Sequence, residues 1–311
     1  MLPSYQVSVV MCTYNGNKFI DEQIASILNQ DYTIYELVIV DDLSADGTWQ
    51  KLEQWQKRNS IIKIFRNDTN LGYNKNFEKA IHLATGDIIA LSDQDDIWLP
   101  QKISGLVNAF ANNDTILAHC RSVRLEKGRL RFKSASLHNH FAGNDTRKLF
   151  MFNQLNGHNI MFRKHFVHKI IPIPAGMMYD WWIAVIATCY GNIASVDEYL
   201  VHHRIHNENN FFNKNMQLKK KQLDLQDVLQ LFTSINALSA ESKTFLREFL
   251  RLLTAHNQHE KRFFDFSLFR FLYQNGEIMF GHKRRLFPGI NYLKNAVKYA
   301  RFNFNGKGIT I

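Results

Sequence analysis

Two acidic clusters and one isolated aspartate carry the chemistry this sequence can perform. Asp93-Gln94-Asp95-Asp96 directly follows the apolar run DIIALS at 87–92. Carboxylates crowded at the end of a buried strand are costly unless a cation or water compensates them. Asp93 and Asp95, two apart in an extended segment, point to the same side. Such a pair can hold one divalent cation, Mg2+ or Mn2+, through oxygen ligands and leave room for phosphate oxygens. The other reading is a solvated acidic turn, since Asp is common in turns.

The second cluster, Asp41-Asp42-x-Ser44-x-Asp46-Gly47-Thr48, also ends an apolar run and leads into a helix predicted from near Trp49. Asp46 or Thr48 fits as the cap of that helix. Capping does not require the two acids at the strand tip, and Asp42 could accept hydrogen bonds from a ribose or a base imino group. The isolated acid is Asp180, in Tyr179-Asp180-Trp181-Trp182 just before an apolar helical run. At a helix start it reads as an N-cap.

The elements that must position these groups alternate. VSVVMC (7–12), ELVIVD (36–41), IIKIFR (61–66) and DIIALS (87–92) are β-branched-rich runs of strand length. Between them Ile20, Ile24, Ile27 and Leu28 share one helical face, as do Trp49, Leu52 and Trp55, and Phe77, Ile81 and Ala84. Strand and helix in alternation predict an α/β fold, a mostly parallel sheet covered by helices on both faces. Three strands end in polar residues, Thr13-Tyr14-Asn15, Asp41-Asp42 and Ser92–Asp96. Ligands of open α/β sheets bind outside the carboxyl ends of the strands, so these clusters should converge on one crevice. Residues 115–210 look less regular, and from about 211 the pattern turns to helices rich in Leu, Phe, Lys and Arg.

The charge follows the same division. Of 38 Lys and Arg and 28 Asp and Glu, residues 1–210 hold 21 of each, so residues 211–311 account for the whole net charge of +10. The split predicts a domain at 1–210 and a basic, aromatic-rich helical extension at 211–311. A neutral body with a basic last third suggests contact with something anionic. KRFFDFSLFRFLY (261–273) and HKRRLFPG (282–289) set aromatics beside cations. They fit either a packed helical extension or peripheral contact with an anionic membrane. Three widely spaced cysteines, Cys12, Cys120 and Cys189, read as reduced thiols, not as a disulfide framework or zinc site. No basic n-region opens the chain and no stretch approaches 18 apolar residues. These features predict a cytoplasmic protein, peripheral at most on the inner face of the membrane.

Taken together, CTYNG after the first strand, IVDDLSADGT after the second, NLGYNKNF, and ATGDIIALSDQDDIWLPQKI resemble the family 2 glycosyltransferases of GT-A fold over roughly residues 5–210. The resemblance implies an inverting mechanism, a nucleotide-diphospho-sugar donor and a divalent cation held by the Asp-x-Asp motif. It places Thr13, Tyr14 and Asn15 in the nucleotide pocket, Asp42 on the base or ribose, and Asp93 and Asp95 as the motif pair, Asp95 as direct metal ligand. Lys75 matches a basic or polar position near the donor, or is a helix-surface lysine. GHNIMF (157–162) resembles the acceptor-side segment, with Gly157 permitting close approach to the sugar. Asp180 falls where the family carries its catalytic base, although Tyr179 stands where Glu or His is common. Leu200–Asn207 resembles the segment closing the catalytic domain, with Arg204 suited to a phosphate and His206 to the metal or diphosphate. Alternation puts His202, Arg204 and His206 on one side of a strand and His203 on the other, as a structural residue.

The expected function is transfer of a hexose or rhamnose to a hydroxyl of a glycan or lipid-linked glycan in bacterial surface polysaccharide, such as lipopolysaccharide or capsule; LSDQDDIW resembles rhamnosyltransferase-like members. A non-catalytic sugar-nucleotide-binding protein is the alternative. A nucleic-acid-binding protein is disfavoured, since no RNP, zinc-finger or helix-turn-helix signature is present and the basic residues avoid the motif-bearing body.

Overall fold

A computed structural model of the protein describes residues 4–132, 140–206, 223–258, 264–282 and 286–301. Its strands are β1 (Val7–Thr13), β2 (Glu36–Asp41), β3 (Ile62–Arg66), β4 (Ile88–Ser92), β5 (Ile97–Trp98), β6 (Thr115–Glu126), β7 (Arg129–Arg131), β8 (Ile160–Arg163) and β9 (Asn192–Ile205). Among the described residues they form one sheet in the order β3-β2-β1-β4-β8-β6-β9-β5, with β7 hairpinned onto β6. The first four strands are mutually parallel. β8 enters antiparallel to β4 and β6, so the sheet is mixed from that point.

β1, β2 and β4 are buried on both faces and largely apolar in both directions, while β3, at the sheet edge, leaves Lys63 and Arg66 exposed. Val7, Val9 and Met11 of β1 face a core shared with α1 (Ile20–Leu28) and α4 (Lys102–Ala109). Val10 faces the opposite core, with α3 (Tyr73–Leu83) and α6 (Tyr179–Tyr190). Two short helices complete the body, α2 (Thr48–Arg58) against β3 and α5 (Val167–Ile170) against α6. Of α6, Tyr179–Thr188 are all buried, a helix apolar on every side and therefore central.

The described residues between 115 and 205 are more regular than their sequence suggests. β6 and β9 are the longest strands and run parallel to each other, with register shifts between Thr115 and Leu117 and between His119 and Ser122. Those irregularities break the two-residue alternation by which a strand is read.

Beyond this body lie α7 (Leu225–Phe232), α8 (Ala240–Gln258), α9 (Phe266–Gln274), α10 (Gly276–Phe280) and α11 (Pro288–Tyr299). They share a core with α6. Phe232 meets Trp181 at 5.7 Å, edge to face, and Phe150 lies against Phe232 and Phe245. The boundary read near residue 210 lies outside the described residues. No helix among the described residues is long and apolar enough to cross a membrane. All three cysteines are free thiols.

Candidate active site

The polar tips of β1, β2 and β4 meet. Thr13 Oγ1 donates to Asp41 Oδ1 at 2.9 Å, the Asn15 N–H to Ser44 Oγ at 2.9 Å, and the Gly16 N–H to Thr48 Oγ1 at 2.8 Å. Asn15 Oδ1 accepts from the Ala45 N–H at 3.0 Å, and Asn15 itself sits at positive φ. Gln94 reaches across from the acidic loop and clamps the Tyr14 backbone, accepting from its N–H at 2.9 Å and donating to its carbonyl at 3.1 Å. The Tyr14 ring is left half exposed over this floor. The N-cap of α2 is Gly47, so neither Asp46 nor Thr48 is the cap; Asp46, one residue further out, accepts the Thr48 N–H at 3.1 Å through Oδ1.

Asp42 has a different immediate task from the ribose contact expected of it. Its carboxylate is buried and accepts from the Leu71 and Gly72 N–H groups, both at 2.8 Å, and from Asn67 Nδ2 at 2.8 Å. It holds the turn that delivers α3. Lys75, on that helix, pairs with Glu78 at 2.9 Å on an exposed face, the helix-surface alternative. The residues of α3 turned toward the site are Tyr73, whose hydroxyl is raised in pKa by burial and by the charge of Asp180, and Asn74, which donates to the Met177 carbonyl at 2.5 Å.

The acidic loop is a bend at residues 94–95, not an extended segment. Its three carboxylates therefore face three histidines, with His158 shared between Asp93 and Asp96, 3.8 Å from the latter. Asp93 lies 3.5 Å from His158 Nδ1, Asp95 2.8 Å from His206 Nε2, and Asp96 3.0 Å from His203 Nδ1. Burial, followed by the repulsion of Asp96 and Asp93, raises the proton affinity of Asp95 against the pull of His206. For Asp96 burial works the same way, but His158 and His203 outweigh it and hold the carboxyl below its ordinary value. Burial lowers the His203 affinity and Asp96 more than restores it.

His203 was expected to stand apart as a structural residue; it is instead the partner of the acidic loop. Its ring stacks on His158 at 4.5 Å with planes 6° apart. Arg204 knits the same loop. Its N–H donates to Asp96 Oδ1, its Nε to the Asp95 carbonyl at 2.9 Å, and its guanidinium meets Glu22 at 2.5 Å and the Phe19 face. Beneath the loop, Lys102 is fully buried, donates to the His158 carbonyl at 2.7 Å and lies over the Trp98 ring. Burial brings its pKa down to about 7.

Two donor sets could hold a divalent cation. Asp95 with His206 offers a carboxylate oxygen and an imidazole nitrogen that are partly open to solvent, beside Asp93. Asp96, His158 and His203 bring three ligand atoms within 4.8 Å, but this set is more enclosed. The first fits an exchangeable ion better. Its carboxylate oxygen suits Mg2+ or Mn2+, its imidazole nitrogen favours Mn2+ over the oxygen-seeking Mg2+, and three acids in four residues leave negative charge for a cation to offset.

Asp180 belongs to the same site. The N-cap of α6 is Met178, so Asp180 is not the cap; it stands in the first helical turn. Its Oδ1 accepts the Trp181 N–H at 2.8 Å and its Oδ2 the Gly157 N–H at 3.2 Å. Burial raises its pKa to about 6, with Asp93 adding to the shift. Gly157 was expected to open space for a sugar. The structure fills that space with the ring of Tyr179, which stacks on Phe77 at 4.4 Å. The glycine is needed because Tyr179 packs against it and because its N–H aims Asp180. Gln94 and His158 escaped sequence reading, although one is the middle residue of Asp-x-Asp and the other lies between Gly157 and Asn159.

Comparison with known proteins shows the family and the fold. The profile of Glycosyl transferase family 2 matches residues 8–170, more than half the chain, including β1, the acidic loop and Gly157. The chain belongs to this family. An uncharacterized glycosyltransferase of Haemophilus influenzae is 30% identical over 218 residues, covering 64% of this chain and 65% of the relative. The match therefore spans just under two thirds of that relative's length. Among solved structures, S. aureus TarS 1–349 in complex with UDP-GlcNAc superposes with a TM-score of 0.62 at 18% identity, covering 95% of this chain and 81% of that one. Mannosyltransferase PcManGT from Pyrobaculum calidifontis, in complex with GDP-Man and Mn2+, gives 0.60 at 16% identity, covering 96% and 81%. At these identities the two structures establish a shared GT-A-type fold, a mixed α/β sheet with flanking helices and a helical C-terminal region.

Proposed function

We propose that the chain is an inverting glycosyltransferase. It would move a sugar from a nucleotide-diphospho-sugar to a hydroxyl of a glycan or lipid-linked glycan in bacterial surface polysaccharide synthesis. The observation that carries the reading is Asp180. It is a buried carboxylate with its pKa raised to about 6, aimed by two N–H groups and within electrostatic reach of the Asp-x-Asp loop. A base with that affinity is ionised at neutral pH yet still binds a proton strongly enough to remove one from an attacking hydroxyl.

The remaining residues divide the work. Thr13, Tyr14 and Asn15 line the floor on which the nucleoside would lie, the half-exposed Tyr14 ring offering a stacking face. Asp42 shapes that floor from beneath. Asp95 and His206, with Asp93 beside them, would hold a divalent cation, which when bound supplies positive charge against the diphosphate oxygens. Arg204 fixes the loop through the Asp95 carbonyl. Asp180 takes the acceptor proton as the hydroxyl oxygen bonds to the anomeric carbon. The bond from that carbon to the diphosphate breaks on the opposite face, and configuration inverts. PcManGT is described with Mn2+ and GDP-Man and TarS with UDP-GlcNAc; both support a nucleotide-sugar donor here, and PcManGT alone of the two a cation. The transfer would take place at the cytoplasmic face of the membrane, where a lipid-linked acceptor lies.

The test is a screen of UDP-, dTDP- and GDP-sugars, including rhamnosyl and hexosyl donors, with Mg2+, with Mn2+ and with chelator. Cation-dependent binding or turnover of one donor is the expected result. A folded protein that binds none of them would overturn the reading.

A further inference from the structure

The outer face of α11 has no role in the site and an unusual composition. Leu286 is 88% exposed, Phe287 65%, Ile290 53% and Leu293 43%. Soluble surfaces scatter such residues singly; here they run along one short segment. Ile290, Leu293 and Val297 recur at helical spacing, so they form one stripe. Tyr292, Ala296 and Tyr299, on another side of the helix, pack it down. Ala296 is buried, Gly276 allows the close approach of Tyr292, and Tyr299 stacks on Phe280. The apolar stripe is therefore not what holds the helix in place.

Beside the stripe lies a row of cations. An open cavity is lined by Leu293, Lys294, Val297, Lys298 and Arg301, two apolar side chains among three basic ones. From Ile278 to Ile311 the sequence holds seven Lys or Arg and no Asp or Glu. The Asp265 N–H bonds the Ala300 carbonyl at 2.9 Å, which brings Phe266, 76% exposed, to the same end of the helix.

We propose that this face docks on an anionic phospholipid bilayer. The apolar stripe would enter the boundary between headgroups and acyl chains, and a lipid phosphate would be held among Lys294, Lys298 and Arg301. An amphipathic helix lying in the interface needs both components, buried apolar area and attraction to anionic lipid. A nucleic acid would use the cations and leave Ile290 and Leu293 facing water. A second copy of this chain would cover the stripe but would set the same cations against each other across a two-fold interface. The inference gives a surface and a partner to the reading of a membrane-borne acceptor, and rests on it only for purpose, since docking is measurable without turnover.

The full chain would be sedimented with vesicles of phosphatidylcholine alone and of phosphatidylcholine with about a third phosphatidylglycerol, at low and high salt. Binding is expected only to the anionic vesicles and should weaken with salt. Replacing Lys294, Lys298 and Arg301 with Gln should weaken it on the order of a hundredfold, about fivefold per cation. Ile290→Ser with Leu293→Ser should weaken it while leaving turnover of a water-soluble acceptor unchanged. Equal sedimentation with both vesicle types, or full binding by either variant, would overturn the proposal. So would a wild-type dimer that ignores vesicles and that the Ser variant dissolves. Donor turnover without vesicle binding would sink this inference alone, and vesicle binding without turnover of any donor would sink only the proposed enzyme.

Discussion

The Tyr179 ring occupies the space that a β-carbon on residue 157 would need. The Gly157 N–H, in turn, donates to Oδ2 of the residue that follows Tyr179. Packing and aim are thus set by one contact. Gly157→Ala should push the two segments apart, costing about 1–3 kcal/mol of stability and lowering turnover more than donor affinity. Chemical denaturation and the split between kcat and donor KM check both parts. Shrinking the ring in the same chain, as Tyr179→Ala, should make the stability costs strongly non-additive, the sign of a shared contact.

The raised affinity of Asp180 makes two statements with opposite consequences. For activity, the basic form is required, so kcat/KM should rise with pH and level off above about 6. For stability, the folded pKa of about 6 lies above the ordinary aspartate value of 3.8. The unfolded chain therefore loses this proton first, and stability falls as pH rises between those values. Asp180→Asn should lower transfer by roughly 10²- to 10⁴-fold. Its stability relative to wild type should be greater at pH 7.5 than at pH 5, by an amount on the order of 1–3 kcal/mol. A variant that keeps more than a few per cent of transfer, with donor binding intact, would exclude Asp180 as the base.

Much of this site could be read before the fold was known, and the part that could not has a common cause. The β-branched runs at 7–12, 36–41 and 87–92 mark strands because a doubly covered parallel strand must be apolar on both sides, while 61–66 forms the half-exposed edge strand. Acids just past such runs can only lie at strand tips, so Asp42, Asp93 and Asp95 were locatable. The partners of those acids were not. Asp96 meets His203 across 107 residues and Asp95 meets His206 across 111. Alternation along a strand says which histidines share a side, but not where a bend at 94–95 has turned the acids. Lys75 was open to two readings, a donor contact or a helix-surface lysine. Its place near a motif suggested the donor, while α3 directs it to Glu78.

The three carboxylate–histidine pairs should separate by experiment. If Asp95 and His206 hold the cation, Asp95→Asn and His206→Ala should each weaken Mn2+ binding tenfold or more, about 1.4 kcal/mol, with modest loss of stability. Calorimetric titration of Mn2+ into the protein measures this directly. Asp96→Ala should behave differently. It leaves His203 and the Arg204 N–H without their acceptor in a buried setting, at about 3–5 kcal/mol. A stable Asp96→Ala protein that has lost Mn2+ affinity would move the ion to the Asp96, His158 and His203 set.

Lys102 provides the last test, because it is buried without a carboxylate in direct contact among the described residues. Its ammonium has the His158 carbonyl at 2.7 Å and the face of Trp98, both favourable to charge, yet burial outweighs them and brings its pKa from 10.5 to about 7. A depressed folded pKa means that the unfolded chain binds more protons between about 7 and 10.5. Stability should therefore rise with pH across that window. Lys102→Met keeps the stem and removes the charge, so the rise should flatten in the variant. It also frees the carbonyl next to Gly157, the residue that aims Asp180. The variant should match or exceed wild-type stability at pH 7 while losing turnover, read from denaturation midpoints and kcat on the same preparations. Loss of stability together with unchanged turnover would show that the lysine braces the core and does not position the base.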